Sequence, residues 1–144
     1  MANKPAFLFK QAGAMPYRWN DGHVEVILVT SRSSGGWIFP KGVIDPGETP
    51  ESTAVKEAFE EAGIVGVVTG GPLGRYEQEK WGGVAKVDVY PVLVIEVMEN
   101  WSEQATRQRQ SVSLEDAMKM VSPLLVPILI SFAVGLKNDP IRPT

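Results

Sequence analysis

An α/β fold with helices on both faces of a mixed sheet, an α/β/α sandwich, is the architecture this sequence predicts, on three observations. Alternating apolar segments separated by Asn-Asp-Gly and Trp-Gly-Gly turns read as strand hairpins. Between them lies one well-capped amphipathic helix after Thr49. Near the end, Leu124 to Leu136 is an almost wholly apolar run that reads as a buried terminal helix. The 144 residues suit a single domain, 1–144, large enough to bury a core.

In chain order, Ala6 to Tyr17 reads as the first strand, Asn20-Asp21-Gly22 as a tight turn and His23 to Ser31 as the returning strand. Ser33-Ser34-Gly35-Gly36 is a loop before a short strand, Trp37 to Phe39, and Asp45-Pro46-Gly47 is a turn. Thr49 supplies an N-cap hydroxyl and Pro50 suits the first helical position. Glu51 complements the positive helix start, and Gly63 stands where a left-handed C-cap is needed. Ala54, Val55, Ala58, Phe59 and Ala62 form the core-facing stripe on an ideal wheel. Ile64 to Arg75 should hold a strand interrupted by Gly70-Gly71-Pro72. Trp81-Gly82-Gly83 is a hairpin tip before a long strand, Val84 to Met98, in which Pro91 points to an edge position or a bulge. Ser113 caps a helix to about Val121, with Asp116 in the capping-box position. Ser122 and Pro123 start the last helix and Gly135 stops it.

The first helix carries Glu57, Glu60 and Glu61 at i, i+3 and i+4, an arc of about 100° beside the apolar stripe and directed outward. Three carboxylates on one face repel unless cations neutralise them, and hard divalent ions favour such oxygens. A solvated acidic face is the ordinary explanation of three such residues alone. Their setting argues against it. Gly42, Glu48, Glu57, Glu60, Glu61 and Gly63 hold fixed offsets, a coincidence expected about once in 10⁷ starting positions.

The stretch from Gly42 to Ile64 resembles the Nudix box, G-x5-E-x7-R-E-U-x-E-E-x-G-U, where U is bulky and apolar. Lys56 stands in place of Arg, and Ala58 is a small U. Trp37 to Gly42 is similar to the strand and turn that lead into such boxes. The run from Val87 to Trp101 and the segment holding Arg107, Arg109 and Ser113 to Ala117 are similar to the diphosphoinositol polyphosphate phosphohydrolases. The resemblance implies a Nudix-type sandwich and metal-dependent hydrolysis of a phosphoanhydride, with Mg²⁺ or Mn²⁺ as cofactor. Glu57 and Glu61, four apart, are the expected metal ligands, and the Gly42 carbonyl a further one, because glycine permits close backbone approach. Glu60 is then left as base for the attacking water, although sequence does not separate ligand from base within the triplet. Glu48 and Lys56 are expected to support these carboxylates. A lysine, unlike the family's arginine, offers a point charge and no planar fork.

Composition narrows the alternatives. The absence of cysteine removes disulfides and thiolate zinc sites and favours a cytoplasmic home. His23 is the sole histidine and follows an Asp-Gly turn, so it reads as a hairpin residue. The net charge of −3, without a long basic block, argues against nucleic acid as a partner. No signal-peptide pattern opens the chain. Leu124 to Leu136 is shorter than the roughly 20 residues that cross a bilayer, which argues against a membrane partner. The expected partner is a small-molecule phosphoanhydride; oligomeric state is not legible.

Lys10, Arg32, Lys41, Lys86, Arg107 and Arg109 are the candidate phosphate contacts. The resemblance to the diphosphoinositol enzymes singles out Lys10, Arg32, Lys86 and Arg107 or Arg109. Two departures count against a densely phosphorylated ring: Gln11 replaces a base, and Trp81-Gly82-Gly83-Val84 replaces a basic cluster. Phe39 to Glu48 also resembles dinucleoside polyphosphate hydrolases, for which Trp81, Tyr76 or Trp37 could stack on a base. A noncatalytic nucleotide-binding sensor on the same fold is the alternative; such proteins are expected to lose box glutamates, and all four remain here.

Overall fold

The hairpin predicted at Asn20-Asp21-Gly22 forms with the left-handed backbone that such turns need: Asp21 has φ 52° and Gly22 φ 77°. It joins β1 (Leu8–Asn20) to β2 (His23–Thr30) in a computed structural model that describes residues 8–137. The expected start of the first strand at Ala6 lies outside the described residues, and β1 runs on past Tyr17 to Asn20. Then follow β3 (Trp37–Ile38), β4 (Lys41–Val43), α1 (Pro50–Ala62), β5 (Ile64–Val68), β6 (Gly74–Lys80), β7 (Gly83–Val97), β8 (Arg109–Ser113), α2 (Leu114–Met120) and α3 (Val126–Lys137).

The sheet is mixed. β1 and β7 run parallel, from Leu8 beside Val84 to Tyr17 beside Leu93. β1 pairs antiparallel with β2 near the hairpin and with β4 through Gln11–Gly13. β3 and β8 extend β2, while β6 and then β5 occupy the other edge of β7. Strand alternation sends Met15, Val87 and Val89 toward α2 and α3, where they meet Leu125, Ile128, Leu129 and Phe132. It sends Ala12, Ala14 and Val92 toward Ala54, Ala58 and Ala62 of α1. The predicted sandwich is the observed one.

Four local expectations need correction. On α1, Phe59 is 47% exposed and Val55 only partly buried, whereas Thr53 and Glu61 are buried. The helix is rolled so that small residues touch the sheet, which turns Glu61 inward. Pro91 lies in a central strand, where β7 changes partner from β6 to β5. Its carbonyl accepts from Thr69, so its missing N–H faces the loop between those strands and breaks no ladder. The register shift falls instead at Val65/Gly66. Finally, α3 starts at Val126, after a turn in which Leu124 N–H donates to Ser122 Oγ, and continues through Gly135. Only one side of it is buried: Leu124 just before it, Ile130 and Val134 are exposed. No described helix is long and apolar enough to cross a membrane.

Candidate active site

Both ends of α1 are fastened. Thr49 Oγ1 accepts from Ser52 N–H and Ser52 Oγ accepts from Thr49 N–H, each at 3.0 Å, a reciprocal capping box. Glu48 joins this cap, its Oε2 accepting from Ser52 Oγ. At the other end Gly63 takes φ 67°. An added Cβ there would lie 2.8 Å from Trp101 Cβ, so glycine is required on two counts. Trp101 Nε1 donates to Glu61 O at 2.9 Å. Arg109 Nη1 donates to Ala62 O and Met98 O at 2.8 and 2.9 Å, with its guanidinium 4.0 Å from the Trp101 ring centre. A cation from a distant strand thus answers the negative end of the helix.

This rigid helix presses Glu57 against Gly42. A Cβ at position 42 would fall 2.5 Å from Glu57 Cδ and 2.6 Å from Oε2, so any larger residue would push the Glu57 carboxylate out of this position. Glu61, 5% exposed, accepts from Lys41 N–H at 3.3 Å, and its Oε2 lies 3.5 Å from Arg107 Nη2. Burial pushes the Glu61 carboxyl up to about 8 against the pull of Arg107, and burial likewise raises Glu57. Each carboxyl acts on the ionisation of the other. Such a pair titrates as a unit, and a cation placed between its members removes the penalty. Arg107 also donates to Glu103 Oε1 at 2.7 Å and to Thr30 O at 2.9 Å. Burial, then the nearby Lys80 charge, brings Lys41 down to about 8.

A cleft of about 210 Å³ opens onto Gly42, Glu57, Glu61, Lys41, Glu103 and Arg107, with Gln11, Arg32, Lys80 and Trp81 around it. Among the described residues no three acidic or histidine side chains converge as a closed metal cage. Two adjoining carboxylates with a close backbone are nevertheless a fitting donor set for Mg²⁺, which keeps waters and takes substrate oxygens to complete its shell.

A family model for the NUDIX domain matches residues 10–127. The chain belongs to the Nudix family. It is 36% identical over 115 residues to diphosphoinositol polyphosphate phosphohydrolase 3-beta of Bos taurus, covering 78% of this chain and 68% of that one. It is 32% identical over 126 residues to the mitochondrial Nudix hydrolase 16 of Arabidopsis thaliana, covering 75% and 69%. The solved Ap4A hydrolase binary complex of C. elegans matches with a TM-score of 0.77 at 25% identity, over 91% of this chain and 99% of that one. This Nudix chain is an enzyme, a phosphoanhydride hydrolase of a family that generally needs a divalent metal.

The Nudix cleft gathers only part of what the sequence nominated. Glu57, Glu61, Gly42, Lys41, Arg32 and Arg107 line it. Glu60 is half-buried off its wall, close enough to raise Glu57. Lys56 bonds Asp45 at 3.2 Å, which ties the box loop to the helix. Lys10 and Lys86 are register neighbours on β1 and β7, away from the cleft. Arg109, expected to meet substrate phosphate, is instead occupied with the end of α1. Sequence reasoning missed Glu103, Asp45 and Lys80. Glu103 meets Arg107 across a turn and not along a helix, so its spacing gave no helical signal. Gln11 is 2% exposed, and among the described residues its Oε1 has no hydrogen-bond partner.

Proposed function

We propose that this Nudix enzyme uses Mg²⁺ or Mn²⁺ to cleave a phosphoanhydride bond in a diphosphoinositol polyphosphate or dinucleoside polyphosphate. The observation that carries the reading is the Glu57–Glu61 pair, held on a fastened helix and pressed on Gly42 beside Arg107. The names of the Bos taurus relative and of the C. elegans hydrolase support the two substrate classes.

Glu57, Glu61 and the Gly42 carbonyl would hold the ion. When bound, it neutralises phosphate oxygens and lowers the pKa of water. Arg107 fixes Glu61 and Glu103 in orientation. Lys41 and Lys80 bring positive charge to the wall where phosphate must lie. Water adds to phosphorus, the bridging P–O bond breaks with its electrons passing to the leaving phosphate, and a wall carboxylate takes the water's proton. The sequence nominated Glu60 for that proton; Glu103 is the carboxylate on the wall outside the ion-holding pair, and we assign the role to it.

Phosphate release from a panel of both substrate classes, with Mg²⁺, Mn²⁺ or chelator, tests the reading. Activity should require the ion, and Glu57→Gln should lower kcat by at least about a hundredfold while folding is kept. No release from any substrate with either ion, or an unchanged Glu57→Gln rate, would sink it.

A further inference from the structure

Two tight turns in this chain solve the same problem differently. Between β1 and β2, Asp21-Gly22 supplies two left-handed residues, and aspartate tolerates that conformation. Between β6 and β7, Trp81-Gly82 does the same with φ 52° and 73°. A bulky aromatic residue is a poor choice for a left-handed position, and strain of this kind is retained where function demands it. The indole is also 65% exposed, so core burial does not repay the strain.

Its surroundings suggest what does. Trp81 stacks on Phe9 with ring centres 5.4 Å apart and planes 21° apart, which braces the indole. Lys80 Nζ lies 4.5 Å from its centre. Trp81, Lys80, Lys41 and Ile38 border both the carboxylate cleft and an adjoining cavity of about 420 Å³. Beyond Lys41 and Lys80 at the shared border, that second cavity offers serine hydroxyls at 31, 33 and 34 and apolar Leu124 and Leu125, with no further cation. A moiety bearing several phosphates finds no charge partner there. A neutral, planar group attached to phosphate finds an aromatic face and a lysine side by side.

We infer that Trp81 is a specificity-determining residue that stacks on the planar base of a nucleotide-type substrate, placing that base in the cavity beyond the lysine pair. This rests on the phosphoanhydride reading above and selects the nucleotide class within it. The base lies on the indole, Lys80 and Lys41 meet the phosphates next to it, and the scissile linkage reaches the Glu57–Glu61 wall.

The test uses the full chain and the variants Trp81→Asn and Trp81→Phe. Asparagine suits a left-handed turn position, so the midpoint of thermal unfolding should hold or rise. ADP binding, measured by titration calorimetry, should weaken roughly tenfold or more in Trp81→Asn, and the KM for a dinucleoside polyphosphate should rise alongside it with kcat nearly unchanged. Tripolyphosphate, which has no ring, should bind equally well to both. Trp81→Phe should recover most of the ADP affinity. Equal weakening toward ADP and tripolyphosphate, an unchanged ADP affinity, or a clear fall in unfolding midpoint in Trp81→Asn would overturn the assignment. Failure of the wild type to hydrolyse any phosphoanhydride would sink the enzymatic reading alone, since the calorimetry decides the stacking separately.

Discussion

Arg107 holds three partners at once, Glu61, Glu103 and the Thr30 carbonyl, with only 7% of its side chain exposed. Truncating one member of a buried charged network leaves the others without compensation. Arg107→Ala should therefore lower stability by about 3 kcal/mol, read from denaturant unfolding, and reduce kcat as well as raising KM. The opposite balance holds at Glu61. That carboxyl is buried and pushed up to about 8, so it costs stability when charged without an ion. Glu61→Gln should unfold no more easily than the parent, yet turn over substrate at least about a hundredfold more slowly. A variant that lost both stability and activity would mark Glu61 as structural.

Arg109 acts on an element. By donating to the last carbonyls of α1 it replaces the basic residue that the final helical turn lacks. Arg109→Met should cost about 1–2 kcal/mol in unfolding free energy, with KM nearly unaltered at saturating metal. A large KM effect with intact stability would return Arg109 to the phosphate-binding set. This residue also shows where sequence legibility stops. The N-terminal cap of α1, the spacing of Glu57 and Glu61 and the glycines at 42 and 63 are local, so they could be read directly. The roll of the helix could not: it depends on which residues the sheet accepts, and alanines approach more closely than Phe59. Likewise, Lys56–Asp45 joins α1 to a loop and Arg109–Ala62 joins β8 to α1, contacts between segments apart in sequence. Composition marks these residues as charged without saying which partner claims them. Gly135 reads as a stop, yet α3 passes through it, because burial of Phe132 and its neighbours on one side outweighs a modest propensity loss of about 1 kcal/mol.

At the scale of the molecule, an ion that binds only the folded cleft must stabilise the fold by mass action. Mg²⁺ at a hundred times its dissociation constant should add about 2.7 kcal/mol, seen as a rise in unfolding midpoint that Glu57→Gln abolishes. Equal responses in parent and variant would place the ion elsewhere. A second whole-fold prediction concerns Glu25 on β2, which accepts from Ser111 of β8 and from Asn20 and Arg18 of β1. The Ser111 bond first, then Asn20, lowers its pKa below 4.5. The folded value being depressed, its contribution is present above about pH 4.5 and fades as the pH falls through the folded value. The stability gap between the parent and Glu25→Gln should accordingly shrink from pH 7 to pH 3 in thermal melts. One further consequence comes from the parallel pairing of β1 with β7. The first strand must wait for a partner more than seventy residues downstream. Such late loop closure slows folding, and it obliges the ribosome to deliver most of the polypeptide before the middle of the sheet can close, leaving the early hairpin in need of shelter while synthesis proceeds.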